Sequence, residues 1–181
     1  MADNLTLAPK LVLCALINRE NSAVGAALTP ELVVFGLPNQ SVATRNTDIT
    51  VTAAEGSGYI GDVVINYNRV HLQTDVGNVY VASGPDRDLV FPVGTATKIA
   101  DLIPELNSRL GINLTADDFT DGNIPPFEGL PNEEVSVQIT AKADSLCYRG
   151  SITIKVKAEN IHLSEVIVNK VLNGLTYAAP V

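Results

Sequence analysis

The stretch Ile49-Thr-Val-Thr-Ala-Ala-Glu-Gly-Ser-Gly-Tyr-Ile-Gly-Asp-Val-Val-Ile-Asn-Tyr-Asn-Arg-Val-His-Leu72 reads as a β-hairpin. Ile49 and Val51 alternate with Thr50 and Thr52, and Val63, Ile65 and Tyr67 alternate with Val64 and Asn66. The Glu-Gly-Ser-Gly between the two runs is turn chemistry. Gly56-Ser-Gly58 therefore belongs to a hairpin and not to a dinucleotide loop, which needs a helix immediately after it. The pattern recurs further along. Val137-Gln-Ile-Thr-Ala141 repeats Ile49-Thr-Val-Thr-Ala53, and Tyr148-Arg-Gly150 with Ile152, Ile154 and Val156 repeats Tyr59-Ile-Gly61 with Val63, Ile65 and Tyr67.

Working outward, the same order holds for the flanks. Leu13-x-x-x-Ile17-Asn18 matches Leu102-x-x-x-Leu106-Asn107, and Leu28-Thr-Pro-Glu31 matches Leu114-Thr-Ala-Asp117. Gly36-Leu-Pro-Asn39 matches Gly129-Leu-Pro-Asn132, and Val70-His-Leu72 matches Ile161-His-Leu163. Short matches in one unbroken order predict an internal duplication. The expected fold is α+β: two tandem helix-plus-β-hairpin halves, 1–94 with an N-terminal arm and 95–181, packed around a common β-rich core. About ninety residues with one helix and a few strands bury too little apolar surface to be comfortable alone, so the halves should bury each other. Tyr59 and Tyr148 should then occupy equivalent places, with Gly61 and Gly150 behind them where the backbone bends or is closely approached. Residues 118–127 should be the main asymmetric insertion.

Between these landmarks the elements follow from pattern. Pro9 suits a first helical turn, and Leu13, Leu16 and Ile17 continue at helical spacing to the polar exit Asn18-Arg-Glu-Asn-Ser. Leu32-Val-Val-Phe-Gly36 is a short strand. After Leu72 come Val79-Tyr-Val81, the turn Gly84-Pro-Asp-Arg-Asp88, and Leu89-Val-Phe-Pro-Val93. Ile99, Leu102, Ile103, Leu106 and Leu110 form the clearest amphipathic helix, with Thr97 placed to cap its start and Gly111 its end. Pro104 is expected to kink this helix or confine it to its downstream part. Ile161 to Leu175 reads as a C-terminal helix.

Composition excludes some functions. Of 181 residues, 46% are hydrophobic and 18% charged, below the roughly 25% charged usual for free domains, so part of the surface is expected to face other protein. The net charge of −8 and the lack of any Lys/Arg cluster argue against a nucleic-acid partner. The N-terminus shows no basic leader, and the apolar run Leu11 to Ile17 is too short for a membrane span, so synthesis in the cytosol and no membrane partner are expected. With two cysteines and no secretory context, Cys14 and Cys147 are expected as buried thiols.

Catalytic chemistry is nearly absent. His71 and His162, the only histidines, fall at matching places of the two halves, which favours a shared packing or strand-end role. There is no Gly-x-Ser-x-Gly elbow, phosphate loop, Cys-x-x-Cys or His-Glu-x-x-His. Asp117, Asp121 and Glu128 fall at positions 1, 5 and 12 of a calcium-loop register, with Gly122 at 6. Phe119 at position 3 cannot ligate, and Pro125-Pro126 blocks an exit helix. No catalytic residue, cofactor or metal is expected.

The set Ile49-Thr-Val-Thr-Ala, Gly56-Ser-Gly-Tyr59-x-Gly61, Val-x-Ile-x-Tyr67-Asn68-Arg69, Ala100-Asp-Leu-Ile-Pro104, Asn113-Leu-Thr-Ala-Asp-Asp118 and Val-x-Ile-Thr-Ala-Lys142-Ala resembles a small domain common among virion structural proteins of large tailed bacteriophages. The resemblance spans about Leu13 to Val156 and rests on turn and strand signatures. In the second Tyr-x-Gly hairpin Leu146-Cys147 replaces a second Gly. The resemblance implies a non-enzymatic virion protein present in many copies, a capsid decoration or head-surface protein before a neck, collar or tail component. Its implied partners are itself, as a homo-oligomer or array, and other virion proteins such as major capsid or tail proteins, with residues 1–8 as a candidate arm. A β-rich module binding host receptors or glycans is the competing class. Such sites present exposed aromatics, and this chain has no Trp, five Tyr and four Phe.

Overall fold

The computed structural model of the chain describes residues 5–24, 27–130 and 133–158. The expected C-terminal helix, and His162, lie outside the described residues. The architecture is mixed α+β, as the alternation of periods predicts.

Pro9 opens α1 (Pro9–Glu20) at its first turn, where its missing N–H costs nothing. The short β1 (Val33–Phe35) and β2 (Asn39–Gln40) both lie against one side of β3 (Thr47–Ala53), antiparallel to it. Across the Glu55-Gly-Ser-Gly58 turn, β4 (Asp62–Tyr67) runs back along the other side with Ile49 opposite Ile65 and Val51 opposite Val63. Thr47, Ile49 and Val51 point inward, and the last two pack with Leu13, Cys14, Val33 and Tyr67.

The second hairpin is built likewise. Its long strands β7 (Glu134–Thr140) and β9 (Ser151–Lys157) pair antiparallel over their whole length, Ile139 opposite Ile152. The two-residue β8 (Tyr148–Arg149) precedes β9. Ahead of this hairpin, α3 (Ile99–Leu110) buries Ile99, Leu102, Ile103 and Leu106 and ends at Gly111, whose φ of +64° and N–H to Asn107 O close it. The helix runs unbroken through Pro104, against expectation. Proline removes the hydrogen bond to the Ala100 carbonyl, and Ala100 is exposed, so the loss falls at the surface.

Asp101, not Thr97, caps α3. Its Oδ2 accepts the backbone N–H groups of Thr97 and Lys98, both at 2.9 Å, and these bonds hold its carboxyl below the ordinary 3.8. A depressed folded pKa contributes stability above the unfolded value and loses it as pH falls through the folded value. Asp101→Asn should therefore lower stability at neutral pH, and the gap to wild type should close below pH 3.8; denaturant midpoints from about pH 7 to about pH 2 check this.

Several backbone and side-chain bonds occur once in each half. The Asn18 amide brackets Leu28, donating to its carbonyl at 2.8 Å and accepting its N–H at 2.7 Å. Asn107 does the same to Leu114 at 2.8 and 2.9 Å. Ala53 N–H donates to Gly61 O and Ala54 N–H to Leu32 O; Ala141 N–H donates to Gly150 O and Lys142 N–H to Asp118 O. Phe119 faces Ala141 in an antiparallel bridge, as Val33 faces Ala53. Asp118 and Phe119, at the start of the 118–127 segment expected as an insertion, are thereby joined to Lys142 and Ala141. The remainder is tied to the start of α3, with Asn123 bridging Lys98 and Ile124 N–H donating to Thr97 O.

The boundary near residue 94 is crossed in both directions. β5 (Val70–His71) pairs in parallel with β8, and β6 (Val90–Pro92) pairs in parallel with β9. Between them, Leu72–Gly77 form a π-helical turn that passes into α2 (Asn78–Ala82). Arg109 fixes β6 to α3: it donates to Val90 O at 2.6 Å, pairs with Glu105 at 2.7 Å and stacks over Phe91. Fully buried Phe91 thus serves the second half's core.

Among the described residues the expected common core is two clusters. The larger gathers Leu72, Val76 and Phe91 with α3, β7, Tyr148 and β9; the smaller is the first hairpin with Leu13 and Cys14. The split follows from the sheets, because each hairpin buries one face under its own helix. Helix α1 lies between them, contributing Val12 to the larger cluster and Leu13 and Cys14 to the smaller. Both cysteines are buried thiols, as expected. Among the described residues no helix is long and apolar enough to cross a membrane.

Candidate functional site

The first hairpin, with β1 beside it, carries several exposed apolar side chains. Val34 and Val64 stand on its outer face at 57% and 63% exposure, and at its far end Tyr59, Ile60 and Val63 are 43%, 99% and 57% exposed. Alternation explains the outer pair, since Val34 and Val64 sit opposite Thr52 and Thr50, whose neighbours Ile49 and Val51 face the core. Among the described residues β4 pairs only with β3, so its outer edge also presents unpaired backbone groups.

The second hairpin differs at the matching places. Tyr148 is buried, and its hydroxyl accepts the Asn113 N–H at 3.1 Å and donates to Leu5 O at 3.3 Å; burial pushes the phenol well above its usual range. Tyr59 and Tyr148, expected at equivalent places, thus differ in environment. The reason is β5, which covers β8 and has no counterpart over Tyr59 among the described residues.

His71 has a structural place. Its Nδ1 accepts the N–H groups of Gln73 and Thr74, capping the helical segment that follows, while its own N–H donates to Asp75 Oδ2 at 2.8 Å. That bond is the main reason the Asp75 carboxyl titrates lower than usual. The ring lies directly over Gly150. The described histidine is thus engaged as a cap.

Two residues missed in the sequence reading join the halves. Tyr67 donates to Leu146 O at 2.7 Å, and Arg69 donates to Ala143 O at 2.9 Å, to Ser145 O at 3.1 Å and to Thr47 Oγ1 at 3.2 Å. Burial lowers the Arg69 pKa, yet an arginine so placed keeps its charge, satisfied by carbonyls. The run Tyr67-Asn68-Arg69 directly after a hairpin strand was the available signal.

A family model matches residues 3–180. The chain belongs to DUF7941, a family of unknown function. No curated protein and no solved structure matches it.

In this DUF7941 chain the acids of the 117–128 segment are spread among different partners. Buried Asp118 accepts Thr115 N–H and Oγ1 at 3.0 and 2.7 Å, and Ser145 Oγ at 2.7 Å. Asp121 accepts the Ala100 N–H at 3.0 Å, at the N-terminus of α3. Phe119, at the third loop position, is in the core. Among the described residues no group of three or more His, Cys, Asp or Glu is placed to hold a metal. A cleft of about 680 Å³ runs between Pro9–Leu11, Phe35–Leu37 and Asp144–Leu146, floored in part by Asp118 and Lys142. The Lys142 ammonium there donates to Ala116 O at 2.7 Å, and Lys10 also lines the cleft.

Proposed function

We propose that this chain is a non-enzymatic bacteriophage virion structural protein, a capsid decoration or head-surface component that assembles in many copies on itself and on other virion proteins. The observation that carries the reading is the first hairpin, whose open β4 edge and exposed Tyr59, Ile60, Val63 and Val64 form a protein-binding surface with little charge. The resemblance of its turn and strand signatures to phage virion domains supplies the context, and the low charged fraction agrees with it.

The chain is, on this reading, a tandem duplication. The twin Asn18–Leu28 and Asn107–Leu114 brackets and the matched bonds to Gly61 and Gly150 support it. So do the bridges Val33–Ala53 and Phe119–Ala141. Superposing residues 9–72 on 98–163 tests it directly; helices and hairpins that fail to overlay in the same connectivity would overturn it.

For the assembly role, the double change Ile60→Asp and Val64→Lys should leave stability within about 0.5 kcal/mol, since both side chains already face solvent. Incorporation into particles should fall at least about tenfold if this surface contributes even 1.4 kcal/mol to docking. Electron microscopy of particles carrying wild type or variant reads this out. Full occupancy by the variant would overturn the assigned surface, and absence of the wild-type chain from the particle would overturn the virion role.

A further inference from the structure

After leaving the first hairpin, residues 70–93 form an arm across the second, and the start of that arm is held through one imidazole. β5 pairs in parallel with β8, Val70 against Tyr148 and His71 against Arg149. His71 Nδ1 then accepts the N–H groups of Gln73 at 3.3 Å and Thr74 at 3.4 Å. These lead the π-helical turn, and a helix has no carbonyl of its own to offer its first N–H groups. Gln73 passes the connection on, because its side-chain Oε1 accepts the Thr153 N–H of β9 at 3.1 Å. Behind it Gly77 lies so close to β9 that a Cβ would stand 2.8 Å from Ile152 Cδ1, and Leu72 and Val76 are buried in the larger cluster.

This cap depends on charge. Nδ1 accepts only through its lone pair, so the two bonds require a neutral imidazole with its hydrogen on Nε2. A second proton would sit on Nδ1 and point at two N–H groups. Flipping the ring is no remedy, since neither nitrogen of an imidazolium accepts. Nor has the ring room to leave sideways, because it lies flush on Gly150, where a Cβ would stand 2.6 Å from Cε1. The charged neighbours among the described residues offset one another. Asp75, on the turn itself, and Arg149, across the β5–β8 register, flank the ring, and Arg69 lies beyond Arg149, whose Nε donates to Arg69 O at 3.3 Å. On β9, residues 151–153 carry no charge. Both Asp75 oxygens are engaged, Oδ2 by the His71 N–H at 2.8 Å and Oδ1 by Thr74 Oγ1 at 2.9 Å. The first of these is the main reason its carboxyl titrates below the ordinary 3.8, so Asp75 stays charged wherever histidine titrates.

We propose that His71 is a proton-sensitive latch: on acidification its imidazole gives up the Gln73 and Thr74 N–H groups, and residues 71–77 loosen from β8 and β9 while both hairpins keep their pairing. The latch is closed at neutral and alkaline pH and opens as pH falls from about 7.5 to about 5, the range in which histidine changes charge. The cap's contribution to folding is likewise present above that range and lost below it. The hairpin ladders β3–β4 and β7–β9 do not pass through the ring, so they are left standing. What the open latch uncovers is the Gln73–Thr153 contact and the buried Leu72 and Val76 beneath the turn.

Amide hydrogen exchange on the full chain tests this. From about pH 7.5 to about pH 5, protection of the Gln73, Thr74 and Thr153 N–H groups, corrected for the intrinsic pH dependence of exchange, should fall about three- to tenfold. Protection of the Ala53 N–H, bonded to Gly61 O in the first hairpin, should hold. In His71→Asn the amide oxygen stands where Nδ1 stood and caps without titrating, so the same three N–H groups should keep their protection at both pH values. His162 is present in both proteins, so a difference between them belongs to His71. Nitrogen chemical shifts of the wild-type His71 ring give a reading independent of any variant, and decide alone if the variant does not fold. They should show Nδ1 bare at neutral pH and protonated near the acid end, with the hairpin signals unchanged. A hydrogen on Nδ1 at neutral pH overturns the proposal. So does protection that stays level in the wild type, or that falls equally in His71→Asn.

Discussion

Replacing Gly150 with alanine is expected to destabilise the chain by about 2–5 kcal/mol, combining a left-handed backbone penalty with overpacking. Gly61→Ala should cost only about 1–2 kcal/mol, the backbone part alone. Both glycines have positive φ, +70° and +88°, and differ in what lies beyond the missing Cβ. At Gly150 it is the His71 ring, which cannot swing away freely because its Nδ1 caps Gln73 and Thr74. Denaturant midpoints of the two variants give the comparison. Adding His71→Ala to Gly150→Ala should recover the steric part, and equal losses at the two glycines would show that the ring does not press on Gly150.

The second large effect is expected at Asp118. Its carboxylate is buried and takes three hydrogen bonds, from Thr115 N–H, Thr115 Oγ1 and Ser145 Oγ. Ser145 Oγ in turn accepts the Tyr148 N–H at 3.2 Å, so the carboxylate sets the geometry that leads into β8. Asp118→Ala strands these donors without water and should cost about 3–5 kcal/mol, whereas Asp118→Asn keeps one acceptor and should cost about half as much. Urea unfolding of both variants checks the ratio; an alanine variant within about 0.5 kcal/mol of wild type would mean that the donors find other partners.

The long hairpins and the two long helices, α1 and α3, were legible because local chemistry suffices for them. Alternating β-branched residues around Glu55-Gly-Ser-Gly58, the periodic apolar face of Ile99 to Leu110, and Pro9 at a helix start each act within a few residues of themselves. The arm between the halves was not legible for the opposite reason. Val79-Tyr-Val81 carries strand propensity, yet it lies in α2 beyond a segment that His71 and Asp75 cap and that Gly77 packs tightly against Ile152. Parallel pairing of Val90–Pro92 with Lys155–Lys157 has no local signature, since each strand finds its partner far along the chain. The same holds for the exposed face: the textual match of Tyr59 with Tyr148 was readable, but their opposite burial depends on whether another strand arrives. Asp118 was read as part of an acidic loop because a sequence does not say which way a carboxylate turns.

The crossing of β6 into the second sheet also sets an order of events at the ribosome. Hairpin β3/β4 closes on itself as soon as Tyr67 has emerged, and its contacts are short in sequence. Phe91 has to wait until Val156 is made, several seconds later at about 5–20 residues per second. During that interval the Leu72–Pro92 arm carries apolar side chains with nothing to cover them, and the nearest suitable edge is the first hairpin behind it. The nascent chain is thus most exposed to mispairing after its first half is already folded, and the late strand β9, by pairing with both β6 and β7, is the step that ends this vulnerability.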